Sequence, residues 1–146
     1  MSPAGTVLAF DFGTKRIGVA VGTTEVAIAN PLGAIEEEAN DRRFEAIARF
    51  VGEWQPVMFV VGRPRHADGA PHETARLAEK FARRLRERYG LPVAFVDETL
   101  SSAIAESQLR EARTRPSKKS DVDALAAAII LQSYLDDPGC GEHAPS

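Results

Sequence analysis

Asp11 closes an apolar run, Val7-Leu8-Ala9-Phe10, and a turn and a second apolar run follow at once. Asp97 and Glu98 close another run, Val93 to Val96, and Asp121 and Asp123 open a stretch, ALAAAIIL, that is apolar almost all round. A carboxylate taken out of water is unstable unless it is paired, hydrogen-bonded or metal-bound. Several carboxylates delivered from separate elements to one sheet edge would repel one another and their pKa values would rise. A hard cation such as Mg²⁺ or Mn²⁺ removes that conflict, since it binds carboxylate, water and phosphate oxygen together. In pairs about 3.5–4 Å apart, such ions stabilise both the attacking and the leaving oxygen of a phosphodiester hydrolysis. The chemistry this pattern points to is attack of metal-activated water on phosphorus, with two ions engaged when substrate is bound.

Each acid also has a local explanation. Ser120 to Asp123 spells Ser-x-x-Asp ahead of an apolar run, a helix-capping pattern, and Asp121 suits the positive end of a helix. For the Asp121/Asp123 pair alone, the helix-start reading is favoured, and spacing does not choose between Asp121 and Asp123 or between Asp97 and Glu98.

Cations stand near the acids. Lys15 and Arg16 follow the first turn, Arg63 and Arg65 share one loop, and Arg110, Arg113, Arg115, Lys118 and Lys119 crowd a segment with only Glu111 against them. A guanidinium can hold phosphate through two parallel hydrogen bonds, which makes Arg63 and Arg65 phosphate candidates. His66 could contact phosphate or move a proton, although a lone loop histidine is more often only solvated.

The elements that must carry these groups follow from periodicity. Val7 to Phe10 and Ile17 to Val21 read as two strands joined at Gly13, where positive φ and close approach of a ligand are expected. Val26 to Ala29 reads as a third strand ended by Asn30 and Pro31. Asn40 or Asp41 caps a helix to about Glu53 that buries Phe44, Ile47, Ala48 and Val51. Val57 to Val61 is a central strand, and GRPRHADGA (Gly62 to Ala70) is a loop. A helix from Pro71 to Tyr89 buries Ala75, Ala78, Phe81, Ala82 and Leu85, and Gly90 ends it. Val93 to Val96 is the last buried strand; helices are then expected from Ser101 or Ser102 to Arg110 and from Ser120 onward. Strands alternating with helices behind an opening hairpin indicate a mixed α/β sheet covered on both faces.

With 146 residues, 44% hydrophobic and 27% charged, the chain fits one domain, expected over residues 1–137, with 138–146 as a disordered tail. A net charge of −3 argues against indiscriminate coating of nucleic acid, but not against local basic patches. Cys140 is the only cysteine, and His66, His72 and His143 are scattered, so any metal would be held by oxygen. No run approaches the ~18 apolar residues of a membrane span, and no signal-peptide pattern opens the chain, so a cytoplasmic protein without membrane attachment is expected.

Four segments in order carry a resemblance: LAFDFGTKRIGVAVG (Leu8 to Gly22), VVGRPRHADGA (Val60 to Ala70), VDETLSSAIAE (Val96 to Glu106) and KKSDVDALAAAIIL (Lys118 to Leu131). Together they resemble the YqgF family, RuvC-like nucleases of the ribonuclease H-like superfamily, associated with pre-16S rRNA processing and with Holliday-junction resolution. The resemblance implies a five-stranded mixed sheet with helices on both faces, and metal-binding catalytic acids at Asp11, Glu98 and Asp123. It further implies that Lys15 and the basic residues before the last helix, Arg115, Lys118 and Lys119, guide the phosphate backbone; Arg16, Arg63, Arg65 and His66 are expected substrate contacts by their own chemistry and position. The implied activity is divalent-metal-dependent endonucleolytic hydrolysis, foremost in 5′-end processing of pre-16S rRNA during ribosome biogenesis. The alternatives are Holliday-junction resolution on branched DNA and non-catalytic binding to nucleic acid or assembling ribosomes. A monomer or weak homodimer is expected.

Three positions depart from the family pattern. Gly62-Arg63-Pro64 stands where Gly-Leu-Pro is usual, His66 where asparagine is common, and Thr99 follows Glu98 where arginine is common. Arg63 is read as relocating phosphate-binding charge lost beside Glu98. An Asp-x-Gly-Thr hairpin also begins sugar kinases and actin-like ATPases, but those need two such domains, and this chain has length for one.

Overall fold

A computed structural model of the chain describes residues 5–13, 15–63, 72–97, 119–136 and 142–143. Strands β1 (Thr6–Asp11), β2 (Ile17–Thr23), β3 (Ala29–Ile35), β4 (Met58–Arg63), β5 (Val93–Asp97) and β6 (Glu142–His143) form one sheet in the order β3-β2-β1-β4-β5-β6. β1 pairs in parallel with β4, and β4 with β5, whereas β2, β3 and β6 join antiparallel to their neighbours. The expected mixed sheet of five strands is present. The sixth corrects the reading of the C-terminal segment as wholly disordered, because Glu142 and His143 extend the β5 edge.

Helices α1 (Asn40–Trp54) and α2 (His72–Tyr89) cover one face, and α3 (Lys119–Asp136) covers the other. Strand alternation divides the core between them. Leu8, Phe10, Val19, Phe59, Val61 and Phe95 point to α1 and α2; Val7, Ala9, Ala20, Val60, Ala94 and Val96 point to α3. On α2 the expected residues Ala78, Phe81, Ala82 and Leu85 are buried, and Gly90 follows with φ 65°. The α3 stripe is broad, with Ala124, Ala126, Ala127, Ala128, Ile130, Leu131 and Tyr134 buried, as expected of a helix apolar all round. No described helix is long and apolar enough to cross a membrane.

Four local expectations are corrected. The third strand starts at Ala29, after a turn in which Ala27 takes φ 58°; Gln132 of α3 fixes that turn, accepting from the Ala29 amide at 2.9 Å and donating to the Ala27 carbonyl at 2.9 Å. Val26 and Ile28 are therefore exposed, and Pro31 falls on an edge strand where its missing donor is tolerated. Helix α1 starts at Asn40 behind Ala39 with no side-chain cap, so neither Asn40 nor Asp41 caps it. Ala48 is exposed, and Arg43 takes a buried place beside Phe44 and Ile47. Gly13 is not in the positive-φ region; it is required because a Cβ there would lie 2.5 Å from the Arg16 carbonyl oxygen.

Candidate active site

Asp11 is the last residue of β1, aligned with Gly18 of β2 on one side and Gly62 of β4 on the other. By alternation with Val7 and Ala9 it belongs to the α3 face. The helix comes down on that face at Gly18. A Cβ on Gly18 would lie 2.0 Å from the Asp123 carbonyl oxygen and 3.2 Å from the Ala124 nitrogen, so only glycine permits this approach. The register partner of Asp11 thus touches the backbone of Asp123, and two acids separated by most of the chain share one end of one sheet face.

The Asp123 carboxylate does not cap its own helix. α3 begins at Lys119, ahead of Ser120, and Oδ2 of Asp123 accepts a hydrogen bond from Nε of Arg16 at 2.6 Å. The side chains are 30% and 21% exposed for Arg16 and Asp123, so the pair sits at the surface end of the cleft. The hydrogen bond to Asp123 and then its charge raise the Arg16 pKa; desolvation opposes this, and Glu36, next to the β3 end that pairs with Ile17, adds to it. Lys15, in the same turn, is exposed.

β5 reaches the same end. Asp11, Gly62 and Val96 form one row across β1, β4 and β5, with Arg63 and Asp97 aligned in the next. The chain leaves β5 just beyond that row. Glu98, Arg65, His66, Arg115 and Lys118 lie outside the described residues. Gly62 and Arg63, expected in the loop that follows, instead pair with β5 and end β4, and Lys119 starts α3. Two of the three expected acids are brought onto one face, and among the described residues no set of three metal-ligating side chains occurs. The donor type suits a hard divalent ion, carboxylate oxygens partly open to solvent, and the guanidinium of Arg16 now paired with Asp123 is the charge such an ion would have to displace.

Arg43 is a residue that periodicity missed. It is 3% exposed, donates from Nη2 to the Gly13 carbonyl at 2.8 Å and from Nε to the Glu37 carbonyl, and lies 5.6 Å from the Phe12 ring centroid. Burial lowers its pKa from the usual value, with Glu38 pulling the other way. It ties the turn after Asp11 to α1. The signal was a charged residue at i−4 from buried Ile47, on the apolar stripe.

The family model described as "RuvX: Holliday junction resolvase" matches residues 5–137. The chain belongs to the RuvX family. Among its relatives are proteins described as "Putative pre-16S rRNA nuclease" from Dechloromonas aromatica, 56% identical with 92% of each chain covered, and Neisseria gonorrhoeae, 53% identical over 92% of this chain and 89% of the relative. In fold, this RuvX-family chain is similar to Thermus thermophilus RuvC in complex with a Holliday junction substrate, with TM-score 0.59 at 17% identity, covering 95% of this chain and 99% of that one. The yeast mitochondrial Holliday junction resolvase Ydc2 is similar with TM-score 0.57 at 12% identity, over 92% and 79%. The ribonuclease H-like architecture expected for the RuvX family is the one observed.

Proposed function

We propose that the protein is a divalent-metal-dependent endonuclease that hydrolyses phosphodiester bonds at the 5′ end of pre-16S rRNA. The observation that supports this is that Gly18, the register partner of Asp11, lies against the backbone of Asp123, so both acids fall at the same end of one sheet face. The description shared by relatives more than half identical supports rRNA as the substrate.

Asp11, Asp123 and Glu98 would hold Mg²⁺ or Mn²⁺, which when bound supplies an activated water and neutralises charge at the scissile phosphate. Asp11 is fixed by β1 between two glycine neighbours, and its turn is fixed by Arg43. Lys15 stands exposed in that turn as a phosphate contact, and Arg16 brings a second cation to the same edge. Arg63, at the end of β4, would add a third, with Arg65, His66, Arg115, Lys118 and Lys119 extending the track. The protein acts in the cytoplasm as a monomer or weak homodimer.

The family description and the RuvC-like fold favour one second reading, resolution of branched DNA, which requires two sites presented to opposing strands. Parallel cleavage assays on precursor 16S rRNA and on a four-way DNA junction, in Mg²⁺, Mn²⁺ and EDTA, separate the readings. Cation-dependent cutting near the mature 5′ end, with the junction left intact, is the expected result. Paired nicks in the junction with intact RNA would install the second reading. Salt-sensitive binding of either nucleic acid, without cutting and indifferent to EDTA, would make the protein a binder on a nuclease fold.

A further inference from the structure

Arg16 does two things in the site that conflict once a cation is present. It neutralises Asp123, a carboxylate proposed as a metal ligand, and it stands beside Lys15 where a nucleic-acid backbone would pass. A guanidinium and a divalent cation on one small carboxylate repel each other, and the ion offers Asp123 the stronger field. The pairing is also easily undone. It runs from Nε to Oδ2 rather than through the two-pronged fork of the strongest arginine–carboxylate pairs, and both side chains reach solvent.

We infer that Arg16 is an exchangeable counter-ion: without the cation it holds the Asp123 carboxylate, and cation binding at Asp123 releases its guanidinium to grip a phosphate of the nucleic acid. This rests on the proposed metal site. The release couples the two ligands. Cation loading frees a guanidinium for phosphate, and by reciprocity of linked equilibria the nucleic acid, by drawing Arg16 away, tightens cation binding. The turn suits such an exchange. Its backbone is held at Gly13 by Arg43, so the Arg16 side chain can swing while Asp11 stays in place.

The test uses the full-length chain, Mn²⁺ calorimetry without nucleic acid, and anisotropy of a labelled RNA stem-loop across a salt series with and without Mn²⁺. Arg16→Gln, checked for unchanged thermal unfolding, is expected to bind Mn²⁺ at least about fivefold more tightly than wild type, the lower end of ordinary site-to-site couplings. Arg16→Lys, which keeps the competing charge, stays close to wild type. In wild type the log–log salt slope for RNA is expected to steepen by about 0.7–0.9 when Mn²⁺ is added, the increment for neutralising one more phosphate, and in Arg16→Gln that increment disappears. Equal or weaker Mn²⁺ binding by Arg16→Gln, with Asp123→Asn clearly weakened, would overturn the exchange and make Arg16 an orienting partner of the carboxylate. Mn²⁺ binding indifferent to both Arg16→Gln and Asp123→Asn would overturn the exchange together with the metal site beneath it.

Discussion

The two faces of the sheet are packed by opposite means. All seven phenylalanines lie on the side of α1 and α2, with Phe81 at their centre, 5.7 Å from Phe10, 5.2 Å from Phe12 and 5.7 Å from Phe44 between ring centroids. On the α3 side no phenylalanine is present: Met58, Val60, Ile130, Leu131 and Tyr134 fill the core, and where the helix comes closest the strands offer Ala9, Gly18, Ala20, Gly22 and Ala94 against Ala124, Ala127 and Ala128. Large rings keep two helices at a distance and supply buried area; small residues let a third helix touch the strand backbone. Only the second kind of packing lets the backbone of Asp123 come against the register partner of Asp11. The aromatic face is built for stability and the small-residue face for placement.

That contrast can be broken, and the largest effect on cleavage is expected at Gly18. Gly18→Ala puts a methyl 2.0 Å from the Asp123 carbonyl oxygen, so α3 must move. About 3 kcal/mol of stability and on the order of 100-fold in cleavage should be lost, measured by denaturant unfolding and single-turnover kinetics. Arg43→Met removes the hold on Gly13 and leaves two half-buried carbonyls, of Gly13 and Glu37, without that donor. It should cost about 2 kcal/mol and on the order of tenfold in cleavage, and a cleavage rate equal to wild type would detach Arg43 from the site. Phe81→Ala sharpens the comparison from the other side: about 3–5 kcal/mol of stability should go, while the fraction still folded cleaves as wild type does. Gly33→Ala is the smallest. Nothing lies within 4 Å of its would-be Cβ, and stability should stay within about 0.5 kcal/mol.

Much of this was legible in the chain, and the exceptions share a cause. Strands β1, β2, β4 and β5 and helix α2 show in apolar runs and periodicity because each buries a continuous face of its own. β3 was misplaced because Val26 and Ile28 look like strand residues, while the turn containing Ala27 is held by Gln132, 105 positions away. Arg43 escaped because a charged residue on an apolar stripe reads as an interruption, and its partners are backbone carbonyls of other elements. Asp123 satisfied a local capping pattern, and its true partner, Arg16, lies 107 positions away. Asp11 showed itself as the acid closing the first apolar run, whereas the choice of Glu98 over Asp97 and of Asp123 over Asp121 came from resemblance to a family; spacing left both open. The geometry adds why Asp123 can stand near Asp11: the glycine at position 18.

The central claim is that the acids meeting at this edge perform hydrolysis. The most direct measurement is cleavage of precursor 16S rRNA in Mg²⁺ by Asp11→Asn, a nearly isosteric change, with thermal unfolding followed in parallel. An unchanged unfolding transition with cleavage reduced to background is the predicted result. Cleavage at the wild-type rate by a folded Asp11→Asn protein would contradict it.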